Sequence, residues 1–138
     1  EPGGCASEFN AEPLEQIIAN CQRFYSKSFE LGTTPAQNVG VGTGEYTFPA
    51  TAAGAVTNRS ARIPFPTRMR SATGLAVTLY SPAAASAEVY DETSAAVCTA
   101  SAVANATETG FHVTTTANAG TAVGEVLGVH WTADAEIN

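Results

Sequence analysis

Basic residues are scarce: six Lys and Arg stand against thirteen Asp and Glu, a net charge of −7 over 138 residues. A nucleic-acid partner would demand a basic face to neutralise phosphates, so that class of function is set aside, and an anionic membrane surface with it. No run approaches the roughly 18 apolar residues that span a bilayer, so no membrane insertion is expected. Large apolar residues are few as well. Leu, Ile, Val and Phe total 26, equal to the number of Ala alone. In a highly charged chain that fraction would signal disorder, but only 14% of residues are charged. An Ala-rich core buries little apolar area per residue, and burial between subunits would help it. Cysteine is sparse too: Cys5, Cys21 and Cys98 are widely spaced, with no CxxC pair. They read as free thiols of a reducing compartment, and His112 and His130 complete no zinc-ligand spacing, so no metal is expected.

What remains is Thr, Val, Ala and Gly in short alternating runs. "EPGGCASEFN" reads as a linker, assigned to residues 1–12, ahead of one β-rich domain over 13–138. No signal peptide stands at the start and the single Met is Met69, which leads to the expectation of a processed product or the C-terminal part of a longer protein. Pro13 suits a first helical turn, with Glu12 and Glu15 at its positive end. Leu14, Ile17, Ile18, Cys21 and Tyr25 then recur near a 3.6 period, predicting an amphipathic helix over 13–25. So short a helix is marginal alone and must lie on something. From "YSKSFEL" onward the period is two, and "EYTFPA", "SARIPFPTRMR", "LAVTLYSP", "SAEVYDE", "GFHVTTT" and "EVLGVHWTADAEI" read as strands between Gly, Pro and Asn breaks. Pro64 and Pro66 place their run at a sheet edge or a bend. Residues 93–107 permit helix by their Ala content but are assigned to short strands with a turn near Asn105. The fold class is therefore mainly β: an antiparallel sandwich or meander of about six to eight strands, led in by one helix.

A catalytic constellation is harder to find. There is no G-x-S-x-G elbow, phosphate loop or dinucleotide fingerprint; "GVGTGE" has close glycines without the strand–turn–helix context. Asp91 and Glu92 are adjacent, and adjacent strand residues point to opposite faces, so they cannot flank one glycosidic bond and read as solvated turn acids. His112 and His130 have no partner identifiable from sequence. The sequons at Asn58 and Asn105 have no meaning without a secretory route. Arg59, Arg62, Arg68 and Arg70 hold four of the six basic residues, and pairing with acids across strands or subunits accounts for them. No catalytic residue and no cofactor is assigned.

Three stretches carry a resemblance. "CQRFYSKS", within "LEQIIANCQRFYSKSFELGTTPAQN", resembles a helix-to-strand hinge, C-Q-R-[YF]-Y-x-K-S, that precedes β-rich tip domains in bacteriophage tail-fibre and related virion proteins. "VTLYSP" within "IPFPTRMRSATGLAVTLYSP" and the closing "HWTADAE" resemble strands of the same fibres, in the same order. The resemblance implies a virion structural protein, assembled in the host cytoplasm: a fibre tip that adheres to a host surface saccharide, with no enzymatic activity. Its alternatives are a head decoration or collar protein and, less favoured, a polysaccharide depolymerase. It implies a homotrimer, contact with other virion proteins through the N-terminal segment, and packing of Leu14, Ile17, Ile18, Cys21 and Tyr25 on a β domain or its copies. Saccharide binding asks for aromatics beside hydrogen-bonding groups at strand ends, which singles out Tyr80, Tyr90, Asp91 and Glu92.

Overall fold

The structure, a computed structural model, describes residues 12–136. The expected linker therefore lies outside the described residues except for Glu12, as does Cys5. One helix, α1 (Leu14–Gln22), leads into ten strands: β1 (Tyr25–Lys27), β2 (Tyr46–Pro49), β3 (Thr57–Arg59), β4 (Ile63–Pro64), β5 (Ala76–Tyr80), β6 (Tyr90–Asp91), β7 (Ala96–Val97), β8 (Thr99–Thr107), β9 (Gly110–Thr116) and β10 (Val126–Asp134). The helix is shorter than the periodicity predicts. Phe24 N–H bonds the Cys21 carbonyl as the helix closes, and Tyr25 is already paired with Asp134 in a sheet. The pull of the β10 ladder overrides the helical spacing of Tyr25.

All pairings are antiparallel, and each of the two sheets is organised by one long strand. In the first sheet β10 pairs with β1 through Thr132–Asp134 and with β2 through Val126–Val129. It also pairs with β5 through His130–Asp134 and with β6 through Leu127–Gly128. The Glu125 carbonyl accepts from Ala50 N–H and the Trp131 carbonyl from Ser28 N–H. Being six residues apart, these carbonyls point the same way, so β1 and β2 share one edge of β10 and β5 and β6 the other. In the second sheet β9 carries β8 on one edge and β3 and β4 on the other. Residues 96–107 are indeed β7 and β8, but the reversal falls at Glu108 and Thr109; Asn105 stays within β8 at a positive φ of 51°.

The two sheets enclose one apolar layer. Leu127, Val129, Trp131 and Ala133 of β10 face Phe111 and Val113 of β9, with Ile63, Phe65, Met69 and Leu79 filling between. Phe65, Phe111 and Trp131 form an aromatic triad with centroids 5.3–5.5 Å apart, in tilted and edge-on geometries that suit ring quadrupoles. Fully buried Asn58 ties the neighbouring loop: its Oδ1 accepts from Thr51 N–H at 2.7 Å and Ala52 N–H at 3.0 Å. Among the described arginines, Arg68 pairs with Glu108, whereas Arg62 binds Thr107, Thr109 and the Gly110 carbonyl and Arg70 lies 5.3 Å over Phe24. Acid pairing is thus used by one of these three arginines.

Phe111→Ala should leave a cavity at the centre of the triad. A loss of about 3–5 kcal/mol is expected, read by urea unfolding through the fluorescence of Trp131, the single tryptophan.

Candidate functional site

Every residue from Leu127 to Ala133 is buried, although strand alternation puts only Leu127, Val129, Trp131 and Ala133 against the apolar layer. The other face shows Gly128, His130 and Thr132. What covers it is a polar and aromatic assembly fed by four strands and one loop. Directly opposed residues share a face, so Tyr80, opposite His130, and Tyr90, opposite Gly128, stand there together. Asp91 is opposite Leu127 and turns inward between the sheets.

His130 is the centre. Its ring is fully buried and stacks on Phe29 at 4.1 Å and 10°, and Phe29 meets Tyr80 edge-on at 5.5 Å. Nδ1 lies 2.9 Å from Ser28 Oγ and Nε2 lies 2.8 Å from Thr43 Oγ1. The Thr43 hydroxyl donates to the Gly40 carbonyl at 2.8 Å, which leaves its oxygen to accept. Nε2 therefore carries the proton, and Nδ1 accepts from Ser28, whose oxygen also takes Trp131 N–H at 2.9 Å. Each hydrogen in this relay has an acceptor while the imidazole is neutral. Burial pushes the His130 pKa below its ordinary value, and Glu45, 3.8 Å from Nε2, only partly opposes that.

Two carboxyls complete the face. Glu45 is held by the turn before it: its Oε1 accepts from Gly42 N–H and its Oε2 from Thr43 N–H at 2.7 Å. Burial pushes Glu45 up, but these backbone donors and His130 outweigh it, and its pKa ends below the ordinary value. Gly44 permits the turn, since a Cβ there would sit 3.2 Å from the Ser28 carbonyl. Glu92 lies over Gly128, where a Cβ would meet its Oε1 and displace the carboxyl from its present position. Burial first, then the charges of Glu45 and Asp91, push Glu92 above its ordinary value. Of the two carboxyls, Glu45 gives up its proton first and Glu92 last.

The residues expected to bind a receptor divide here. Tyr80, Tyr90 and Glu92 share the face; each is half-buried rather than displayed. Asp91 is fully buried, not a solvated turn acid. Its Oδ1 accepts from Thr93 and Ser94 N–H at 3.1 and 3.0 Å and its Oδ2 from Thr121 Oγ1 at 2.6 Å, so it anchors the turn after β6. Burial pushes its pKa up, and those bonds bring it below the ordinary value. Sequence reasoning left His130 without a partner and missed Ser28, Thr43 and Glu45 altogether. A signal existed: His130 stands out of phase with Leu127, Val129 and Trp131, yet lies in a strand with no charged residue from Val126 to Ala133. His112, by contrast, is half-buried with Nδ1 3.2 Å from the Ser60 carbonyl.

The second expected group, on the helix, packs sparsely. No residue of α1 is buried; Leu14 is 71% and Ile17 44% exposed. A cavity of about 330 Å³ opens between helix and sheet, lined by Ile17, Ile18, Cys21, Tyr25, Phe29 and Leu31. Among the described residues no cluster of His, Cys, Asp and Glu could hold a metal ion, and no helix is long and apolar enough to cross a membrane. No protein-family model, curated protein or solved structure matches the chain.

Glu92→Gln removes a group whose raised folded pKa gives stability below about 4.5 that is lost as pH rises through the folded value. The variant should therefore melt higher than wild type at pH 8, and that advantage should shrink toward pH 4. Paired thermal melts across this range check it; an advantage that grows on acidification contradicts the assignment.

Proposed function

We propose that the chain is a bacteriophage virion structural protein: a fibre tip, or fibre-like module, that adheres to a saccharide on the host cell surface and works as a homotrimer. The observation that carries this reading is the hinge. "CQRFYSKS" resembles the fibre hinge, and in the structure it joins a helix with no buried residue to a β-sandwich. A nine-residue helix has little stability of its own, and here its apolar residues flank an open cavity instead of filling one. Neighbouring copies around a threefold axis would supply the missing surface to Leu14, Ile17, Ile18, Cys21 and Tyr25. The N-terminal segment would lead from there to other virion proteins.

The receptor surface in this reading is what Tyr80, Tyr90 and Glu92 leave exposed above Gly128 and His130, the two rings as aromatic platforms and Glu92 as polar partner. Asp91 drops out of that set because it is sealed between the sheets. No cofactor and no catalytic step enter.

Light scattering over a dilution series tests the assembly. A stable mass of three times 14.1 kDa is expected, falling to one for the double variant Leu14→Ser, Ile17→Ser. Because both side chains are exposed, the variant should keep monomer stability to within about 0.5 kcal/mol. A wild-type monomer at all concentrations would remove the threefold neck and favour a decoration or collar protein that takes its symmetry from the particle. With the trimer established, glycan-array binding by wild type, weakened in Tyr80→Ala and Tyr90→Ala, is the expected next result.

A further inference from the structure

Residues 30–44, "ELGTTPAQNVGVGTG", join β1 to β2 without regular structure. Both strands lie on the same edge of β10, yet the loop does not stay there. It crosses the sheet to the far edge, where Asn38 N–H bonds the Ser81 carbonyl at 2.9 Å and Gly40 N–H the Pro82 carbonyl at 2.7 Å. Gln37 Oε1 accepts Ser81 N–H at 2.6 Å. Against it lie Phe29 and His130, and the loop's own Glu30, Thr33, Val39, Gly42 and Thr43 line, with Phe29, a partly open cavity of about 230 Å³. The loop is a strap across the sheet, loosely packed against Phe29. Its ends can turn, since Gly32, Gly40, Gly42 and Gly44 all have positive φ.

We propose that this strap is a lid latched by the neutral imidazole of His130, through Thr43 on the lid and Ser28 at its root, and that acid releases it. Protonation makes Nδ1 a donor. The Ser28 hydroxyl must then turn to the Trp131 carbonyl, at 3.3 Å, while its oxygen accepts both Nδ1–H and Trp131 N–H. The resulting imidazolium is fully buried against the Phe29 ring, with one carboxylate 3.8 Å away. Lifting the lid lets water reach it.

The charged and titratable groups on the His130 face and its borders are Tyr25 and Lys27 on β1, Glu30 in the lid, Glu45 before β2, Tyr80 on β5, Tyr90 on β6, Glu92 with Asp91 behind it, and Asp134 on its own strand. Two bear directly on the sign. His130 binds its proton more weakly in the closed state than in the open one, so closure is favoured above the ordinary value of 6.5 and lost as pH falls below it. Glu92, raised by burial and then by Glu45 and Asp91, would give the opposite response wherever opening relieved it, since a raised pKa favours the protonated form in acid. The two groups are thus told apart by the direction of the response.

Hydrogen exchange of the Asn38 and Gly40 amides, corrected for intrinsic rate, gives the lid's opening constant from pH 8 to 5, and NMR gives the His130 titration midpoint. The opening constant should climb by up to about tenfold per pH unit as pH falls from 6.5 toward that midpoint, while the Val113 amide in β9 keeps its protection. In Thr43→Val, which leaves every titratable group in place, the lid should open at pH 8 to the extent that wild type does in acid. A wild-type constant that is flat, that falls on acidification, or that moves in step with Val113 overturns the proposal. So does a Thr43→Val lid that remains as closed as wild type.

Discussion

The first sheet depends on the two edges of β10. Four separate segments, β1, β2, β5 and β6, satisfy their backbone groups on this one strand, two to each edge. Buried peptide groups cannot be left unpaired without a cost comparable to a lost hydrogen bond, so the partners are fixed in register by β10 rather than by one another. That constraint explains why strands of two to five residues suffice here. It also explains why both faces of β10 are covered: a strand flanked on each side has no solvent edge, and its second face is closed by whatever the incoming segments carry.

On that second face the incoming segments carry polar groups, and the chemistry follows from burial. Ser28, Thr43, Glu45 and Glu92 arrive from segments distant in sequence and meet on Gly128 and His130. A histidine so enclosed favours the neutral form because burial disfavours the imidazolium, and its hydroxyl partners then use it as one acceptor and one donor. Two carboxyls so close separate in affinity because only Glu45 has backbone donors aimed at it. The polarity of the face is therefore organised around one neutral ring and one strongly held charge, with Glu92 left to respond to its surroundings.

The strands were legible because their signal is local. Alternation in "GFHVTTT" and "EVLGVHWTADAEI" and the Pro and Gly breaks between runs are readable within a few residues, and β9 and β10 stand where they predict. The helix was legible in kind but not in length, since Tyr25 fits both the helical spacing and the ladder, and only the ladder has a partner. Asp91 was misread because nothing local distinguishes an exposed turn acid from one bound by Thr121, thirty residues away. The site was illegible for the same reason on a larger scale. Ser28 and His130 are separated by 102 residues, and their meeting depends on register across two strands, which single-sequence periodicity does not contain.

Chain order gives the central strand one more consequence. β10 follows all four of its partners, so on a ribosome β1, β2 and β5 emerge with nothing in their own sheet to pair against, and β6 with β7 alone, until Val126–Asp134 has cleared the exit. The first sheet cannot be assembled piecewise from the N-terminus. Pairing β1 with β10 brings together segments roughly a hundred residues apart, which places the domain among topologies of high contact order that fold slowly. Through that interval β1, β2 and β5 are unpaired edges, and the scarcity of bulky apolar residues in the chain limits the sticky surface they expose.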